Sequence, residues 1–118
     1  NKDMFKEAGL DPNAPPKTWE ELVTDAKALT KDGRWGIMVP STGYPYWMFQ
    51  CFAIQNGKEL MNSEGTETYF TDPKVVEALE FWHGLATDAK VMPEGTVEWG
   101  TLRQAFLQGQ TAMMWHCR

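Results

Sequence analysis

The sequence has few cysteines, few histidines and no block of basic residues. Cys51 and Cys117 are its two cysteines, too few for the disulfide framework of a small secreted scaffold. His83 and His116 stand apart from each other, and no spacing typical of a metal site is present. Eleven Lys and Arg against sixteen Asp and Glu give a net charge of −5. Because nucleic-acid binding requires clustered basic residues, the composition argues against that class of partner.

Long apolar runs and catalytic motifs are also absent. The longest uninterrupted apolar runs reach a few residues, whereas a membrane-spanning helix needs about 20. Residues 1–4 carry no signal-peptide core. The serines, Ser41 and Ser63, lie outside any nucleophile elbow, and the glycines are not spaced as in a phosphate-binding loop. The sequence therefore predicts no enzyme activity, no metal and no cofactor.

Aromatic residues and methionines are the abundant class. Six Trp, seven Met and an aromatic fraction of 13% are more than a small core usually needs. A chain of 118 residues with 42% hydrophobic content fits one globular domain with a core of its own. We therefore expect some of the aromatic surface to face a ligand.

Hydrophobic periodicity and turn residues predict an α/β, helix-rich chain. Thr18 and Glu21 form a capping box before one apolar helical stripe, and Asp72 with Pro73 begins the longest helix. Helices between strands are typical of crossover connections. The predicted helices are 2–8, 18–31, 46–55, 73–89 and 101–107, and the predicted strands are 35–39 and 111–115.

Apolar residues on two of these helices define the expected core. The strongly apolar segment 46–55 is expected to be nearly fully buried. In the longest helix, the expected buried stripe consists of Val75, Val76, Leu79, Trp82, Leu85, Ala86 and Ala89.

Residues beyond the predicted strand ends are the candidate ligand contacts. In open α/β sheets, ligands bind outside the carboxyl ends of the strands. Aromatic residues follow both strands, and a further tryptophan lies in a loop bounded by glycines. The candidate ligand-binding residues are Ser41, Thr42, Gly43, Tyr44, Tyr46, Trp47, Trp99, Trp115 and His116.

These residue types suit a polar organic ligand. Aromatic faces pack on the CH groups of a sugar, while nearby hydroxyl and amide groups bind its hydroxyls. An anion would instead use the free amides that begin the helix at Tyr46. Other roles stay open: Trp47 and Trp115 as core residues, Tyr44 as a turn residue shielding a helix end, and His116 as a histidine bound by backbone carbonyls.

Three segments resemble a known family. Residues 1–11 read NKDMFKEAGLD, residues 16–22 read PKTWEEL, and residues 106–114 read FLQGQTAMM. They resemble the extracellular solute-binding proteins, family 1, of ABC importers. Within that family the chain looks most similar to the sugar and glycerol-3-phosphate binders of the UgpB-like kind, and the resemblance covers essentially its whole length.

The resemblance implies a two-lobe α/β protein with a ligand cleft that closes by a hinge motion. Residues 1–118 would form a single domain, a fragment of the C-terminal lobe. The loop matching 43–47 and the strand end matching 115–117 would face the cleft. The resemblance also implies a periplasmic or extracellular location, with attachment as a lipoprotein one option.

The function implied is binding without catalysis. The chain would supply part of one wall of a site for a carbohydrate or a glycerol phosphate ester, in a protein that docks on the importer's membrane subunits. An isolated fragment would expose a former inter-lobe surface, which leaves dimerisation or strand exchange open to it. The alternative is a small helical domain that binds a protein partner through exposed Met and Trp side chains.

Overall fold

This computed structural model describes residues 1–116 of the chain. Within them lie five helices and two short strands, joined by loops. Each predicted element is present, with bounds shifted by the small amounts usual at element ends. The α/β, helix-rich fold class is therefore confirmed. In chain order the elements are α1 (Lys2–Glu7), α2 (Trp19–Leu29), β1 (Trp35–Met38), α3 (Pro45–Gln55), α4 (Pro73–Thr87), α5 (Trp99–Leu107) and β2 (Thr111–Met114).

The two strands pair in parallel, and the chain between them passes through α3, α4 and α5. Hydrogen bonds join them at both ends: Trp35 N donates to Gln110 O (2.9 Å) and Trp115 N donates to Met38 O (3.0 Å). Because Met38 pairs with Met114, the last residue of each strand, both carboxyl ends meet at one edge of the sheet.

A glycine lets α2 pack directly on β1. A Cβ at Gly36 would lie 2.0 Å from the carbonyl oxygen of Ala26, far inside van der Waals contact. Thr30 reinforces the contact, since its Oγ1 donates to Ala26 O (2.7 Å) and accepts from Gly36 N (2.9 Å). Any side chain at this position would force the helix away from the strand.

The main core is built around the ring of Phe52 on α3, which is fully buried. The centroids of Trp19, Phe81, Trp82 and Trp115 lie between 4.4 and 6.3 Å from its own. These four residues belong to α2, to α4 and to the segment after β2. Phe52 therefore joins three parts of the chain that are distant in sequence.

Side-chain caps begin three of the helices, α1 through Asn1, α2 through Thr18 and α4 through Asp72. Thr18 Oγ1 accepts from Glu21 N (3.1 Å), as the capping box predicts. The reciprocal bond differs from that motif, because the Glu21 carboxylate accepts from Lys17 N (2.7 Å) instead of Thr18 N. At α4, Asp72 Oδ1 accepts from Lys74 N (3.0 Å), and this bond, helped by the Lys58 ammonium, lowers the pKa of Asp72.

The expected burial of α3 is only partly correct. Met48 and Phe52 are buried, but Tyr46 is 54% exposed, Trp47 41% and Ile54 45%. The reason is that α3 packs on α4 through one face, while its first turn lies beyond the strand ends. An apolar composition all around this helix therefore does not mean burial all around it.

The expected stripe on α4 includes two residues that the structure leaves outside the core. Val75, Ala78 and Leu85 are fully buried, whereas Val76 and Leu79 are 40% and 50% exposed. Each exposed residue follows a buried one, and neighbouring residues in a helix point about 100° apart. The buried face is therefore narrower than the apolar pattern indicates.

A group of charged residues connects α1 to the segment before β1. The Glu7 carboxylate accepts from the Lys31 ammonium and from Arg34 Nη1, the latter at 2.8 Å. Arg34 is buried, and its Nε also donates to Leu29 O (2.9 Å). Hydrogen bonds from Lys31 and then Arg34 lower the pKa of Glu7 to about 2.

The contact at Gly36 predicts a large loss of stability on substitution. Gly36→Ala should lower the free energy of unfolding by about 2 kcal/mol or more, because α2 must move off the strand. The matched control is Gly100→Ala on α5, where a Cβ meets nothing within 4 Å and should be neutral or stabilising. Urea unfolding of both variants measures the difference, and equal midpoints would contradict the packing argument.

The lowered pKa of Glu7 predicts an acid-sensitive contribution to stability. Since the folded pKa of about 2 lies below the ordinary value of 4.5, the contribution is complete above pH 4.5 and is lost as the pH falls toward 2. Glu7→Gln lacks this dependence. Urea midpoints of the two proteins should differ at neutral pH and converge between pH 4.5 and 2; a constant difference across that range would refute the role of the carboxylate.

Candidate functional site

Five aromatic side chains gather beyond the carboxyl ends of β1 and β2. We call Tyr44, Tyr46, Trp47, Trp99 and His116 the aromatic cluster. Ring centroids are 4.5 Å apart for the stacked pair Tyr44 and Trp47, 5.3 Å for Tyr44 and Trp99, and 4.1 Å for Trp99 and His116. Tyr46 lies 5.3 Å from Trp47. The rings thus form a continuous series from α3 to the end of β2.

Much of the aromatic cluster faces outward. Tyr44 is 43% exposed, Tyr46 54% and Trp47 41%, while Trp99 and His116 are half-buried. Trp47 is therefore not a core residue. Exposed rings at the carboxyl edge of a parallel sheet give the geometry expected of a ligand surface.

Trp115 lies on the other side of the strand end. Its ring centroid is 4.4 Å from that of Phe52, and the side chain packs against the main core. Trp115 also lines a groove of about 940 Å³, together with Trp19, Phe106 and Met113. No member of the aromatic cluster lines this groove. The next residue, His116, contacts Trp99 and not Phe52, so the two neighbours in sequence lie on different sides of the chain. The role of Trp115 as a ligand contact stays a prediction that this geometry does not favour.

The hydroxyls of Ser41 and Thr42 hold the start of α5. Ser41 N donates to Val97 O and Val97 N donates to Ser41 Oγ, both at 2.9 Å. Thr42 Oγ1 donates to Glu98 Oε2 (2.9 Å) and accepts from Trp99 N (3.0 Å). Sequence reasoning missed Val97 and Glu98, because no local pattern signals a partner 56 positions away.

Gly43 allows close packing between the loop after β1 and Trp99. Its φ of +74° lies in the left-handed region, which favours glycine. A Cβ at this position would lie 2.8 Å from Trp99 Cβ and 3.0 Å from its Cγ. Both the backbone conformation and the available space therefore require glycine here.

The start of α3 offers few free amides to an anion. Tyr44 is the N-cap residue and makes no side-chain cap bond. Pro45 has no N–H group, and Trp47 N donates to Tyr44 O (3.1 Å). Segments 41–47, 97–99 and 115–116 contain no Lys or Arg, whereas Glu98 adds a carboxylate. The surroundings of the aromatic cluster thus favour a neutral ligand over an anionic one.

Residues 1–116 contain neither a metal-binding cluster nor a helix able to span a membrane. No three His, Cys, Asp or Glu side chains converge there as a group able to hold a metal ion. In the same range no helix has both the length and the apolar character needed to cross a membrane. Cys51 is half-buried on α3, and Cys117 lies outside the described residues.

Two curated relatives align with nearly the whole chain. A probable amino-acid ABC transporter periplasmic-binding protein, y4oP of Sinorhizobium fredii, is 30% identical over 98% of this chain. The sn-glycerol-3-phosphate-binding periplasmic protein UgpB of Brucella abortus is 33% identical over 97% of it. The aligned region spans 27% of the length of each relative.

Solved structures share the fold. An ABC transporter solute-binding protein from Thermotoga lettingae, bound with α-D-tagatose, superposes with a TM-score of 0.90 at 30% identity, over 97% of this chain and 30% of that one. An ABC substrate-binding protein from Listeria monocytogenes in complex with cycloalternan gives 0.80 at 34% identity, over 97% and 29%.

A family model agrees with these similarities. The model described as bacterial extracellular solute-binding protein matches residues 1–116. That range includes both strands and every residue of the aromatic cluster. The resemblance noted in the sequence is thereby confirmed: this chain belongs to the family of bacterial extracellular solute-binding proteins.

Proposed function

We propose that this chain forms one wall of the ligand site of an ABC importer's solute-binding protein, and that the solute is a carbohydrate. The observation that carries the proposal is the exposed aromatic cluster at the carboxyl edge of the parallel strands. Tyr and Trp rings present apolar faces to sugar CH groups, and their polar atoms remain able to form hydrogen bonds. The tagatose and cycloalternan complexes of two structural neighbours support the same class of ligand.

A glycerol phosphate ester is the second candidate. It is supported by the name of the UgpB relative, which is 33% identical to this chain. Phosphate recognition usually relies on Arg, Lys or free helix-start amides. Because segments 41–47, 97–99 and 115–116 lack Lys and Arg, the carbohydrate is the better fit to this wall.

The architecture we propose has two lobes, with residues 1–118 in the C-terminal one. The chain's span of 27% of each curated relative supports a contribution of one part to a larger protein. In this proposal the cluster faces a second lobe across a cleft that closes by a hinge motion. The protein works without catalysis, outside the cytoplasmic membrane, and delivers the solute to the importer's membrane subunits. The separated lobe fragment can dimerise through the surface that faces the other lobe.

The alternative of a small helical protein-interaction domain is not favoured. The two curated relatives are named as binding proteins for transport, and the two structural neighbours are solute-binding proteins of ABC systems. Solute binding therefore explains the exposure of Trp47 and its neighbours better than a protein interface does.

The proposal predicts that stacking residues determine affinity. In the complete gene product, isothermal titration calorimetry with maltose, D-tagatose and sn-glycerol 3-phosphate should reveal binding to a sugar. Trp47→Ala should weaken it about tenfold, since loss of an aromatic contact of this kind is worth about 1.4 kcal/mol.

The matched control is Phe70→Ala. Phe70 is an exposed ring, 52% accessible, that stacks on Phe49 outside the aromatic cluster. Phe70→Ala should leave the affinity for the sugar unchanged. A response to sn-glycerol 3-phosphate and to neither sugar would replace the carbohydrate by the phosphate ester, and equal effects of the two substitutions would remove the cluster from the site.

A further inference from the structure

We propose that Thr42 is a positioning residue that holds the ring of Trp99 in the aromatic cluster. The solute-binding part of this inference rests on the proposed function. The effect of Thr42 on Trp99 is a property of the chain without any ligand.

The hydroxyl of Thr42 is already engaged on both sides. Its proton is donated to Glu98 Oε2 at 2.9 Å, and its oxygen accepts from Trp99 N at 3.0 Å. A threonine hydroxyl has one proton to give. Thr42 therefore cannot donate to a solute hydroxyl without releasing Glu98.

The bond to Trp99 N replaces a local helix cap. Trp99 is the first residue of α5, and its N–H has no acceptor within the helix. Glu98 is the N-cap residue, but its side chain makes no cap bond and instead accepts from Thr42. A residue 57 positions away thus decides where α5 begins.

The same bond determines where the Trp99 ring lies. Thr42 holds the backbone nitrogen of Trp99, and the Cβ of Trp99 then packs against Gly43. Any side chain at Gly43 would clash with it. The ring then lies 5.3 Å from Tyr44 and 4.1 Å from His116. The paired bonds between Ser41 and Val97 hold the preceding residues in line. Trp99 is therefore the ring that joins the α3 part of the cluster to His116.

Thr42→Val and Thr42→Ser distinguish the effect of the hydroxyl from the effect of the side chain's shape. Valine keeps the shape and loses both hydrogen bonds, while serine keeps the hydroxyl. The matched control is Thr101→Val, the same chemical change at an exposed threonine in the first turn of α5. Urea unfolding of each variant establishes that it is folded under the conditions of measurement.

The first readout is the fluorescence of Trp99 in the chain without ligand. It is isolated by subtracting the spectrum of the matching Trp99→Phe variant. In Thr42→Val we expect the emission to shift to longer wavelength and acrylamide quenching to increase, because the ring becomes more exposed. Thr42→Ser and Thr101→Val should match the unchanged chain. An unchanged Trp99 signal in Thr42→Val overturns the proposal.

The second readout is affinity for maltose and D-tagatose in the complete gene product. Thr42→Val should weaken binding about tenfold, the usual effect of losing a hydrogen-bonded arrangement, and Thr42→Ser should restore it. Full affinity in Thr42→Val, despite a shifted Trp99 signal, overturns the role in binding. If no probe binds the unchanged protein, the proposed function fails, while the fluorescence result still decides whether Thr42 positions Trp99.

Discussion

Parallel pairing of β1 with β2, ending in register at Met38 and Met114, is the constraint on which the fold and the candidate site depend. A sheet of two strands has little stability of its own. Here α2 lies directly on β1 through the glycine contact, and the aromatic core around Phe52 holds α2, α3 and α4 against the segment after β2. These contacts keep two short strands together, and their shared edge brings the aromatic cluster together.

Aromatic residues in this chain form two groups that meet at Trp99, which packs against the main core and also contacts Tyr44 and His116. Phe52 and the rings around it fill the core, where they contact one another edge-on or stacked. The aromatic cluster instead leaves ring faces exposed at the strand ends. Trp115 and His116 are neighbours in sequence and fall on opposite sides of this division. The high aromatic content of the sequence is therefore divided between a core and a partly exposed cluster, which meet at the end of β2.

Much of the fold could be predicted because its signals are local. Thr18 begins α2, Pro73 begins α4, and apolar runs mark both strands. The gathering of aromatic residues beyond the strands also followed from the general geometry of parallel sheets. The features that could not be predicted depend on contacts between distant residues. The start of α5 at Trp99 instead of Thr101 is one, since its cap comes from Thr42.

The exposure of α3 and α4 could not be predicted for a related reason. An apolar pattern gives the width of a stripe, while the neighbouring elements decide how much of it is covered. Val76 and Leu79 lie beside the covered face of α4, and Tyr46 and Trp47 lie past the end of the sheet. The position of Trp115 could not be predicted either, because it depends on a contact with Phe52, a residue distant in sequence.

The bonds between Thr42 and the start of α5 also bear on the order in which the chain folds. They close a loop of 57 positions, whereas the contacts within α3 and α4 form locally. Closing a long loop costs entropy before the contacts it allows contribute favourable free energy, so such contacts form late. The aromatic cluster should accordingly assemble after the helices and open before them. The joining of Trp99 to the rest of the aromatic cluster is thus a late step in folding, whereas α3 and α4 can form from contacts within themselves.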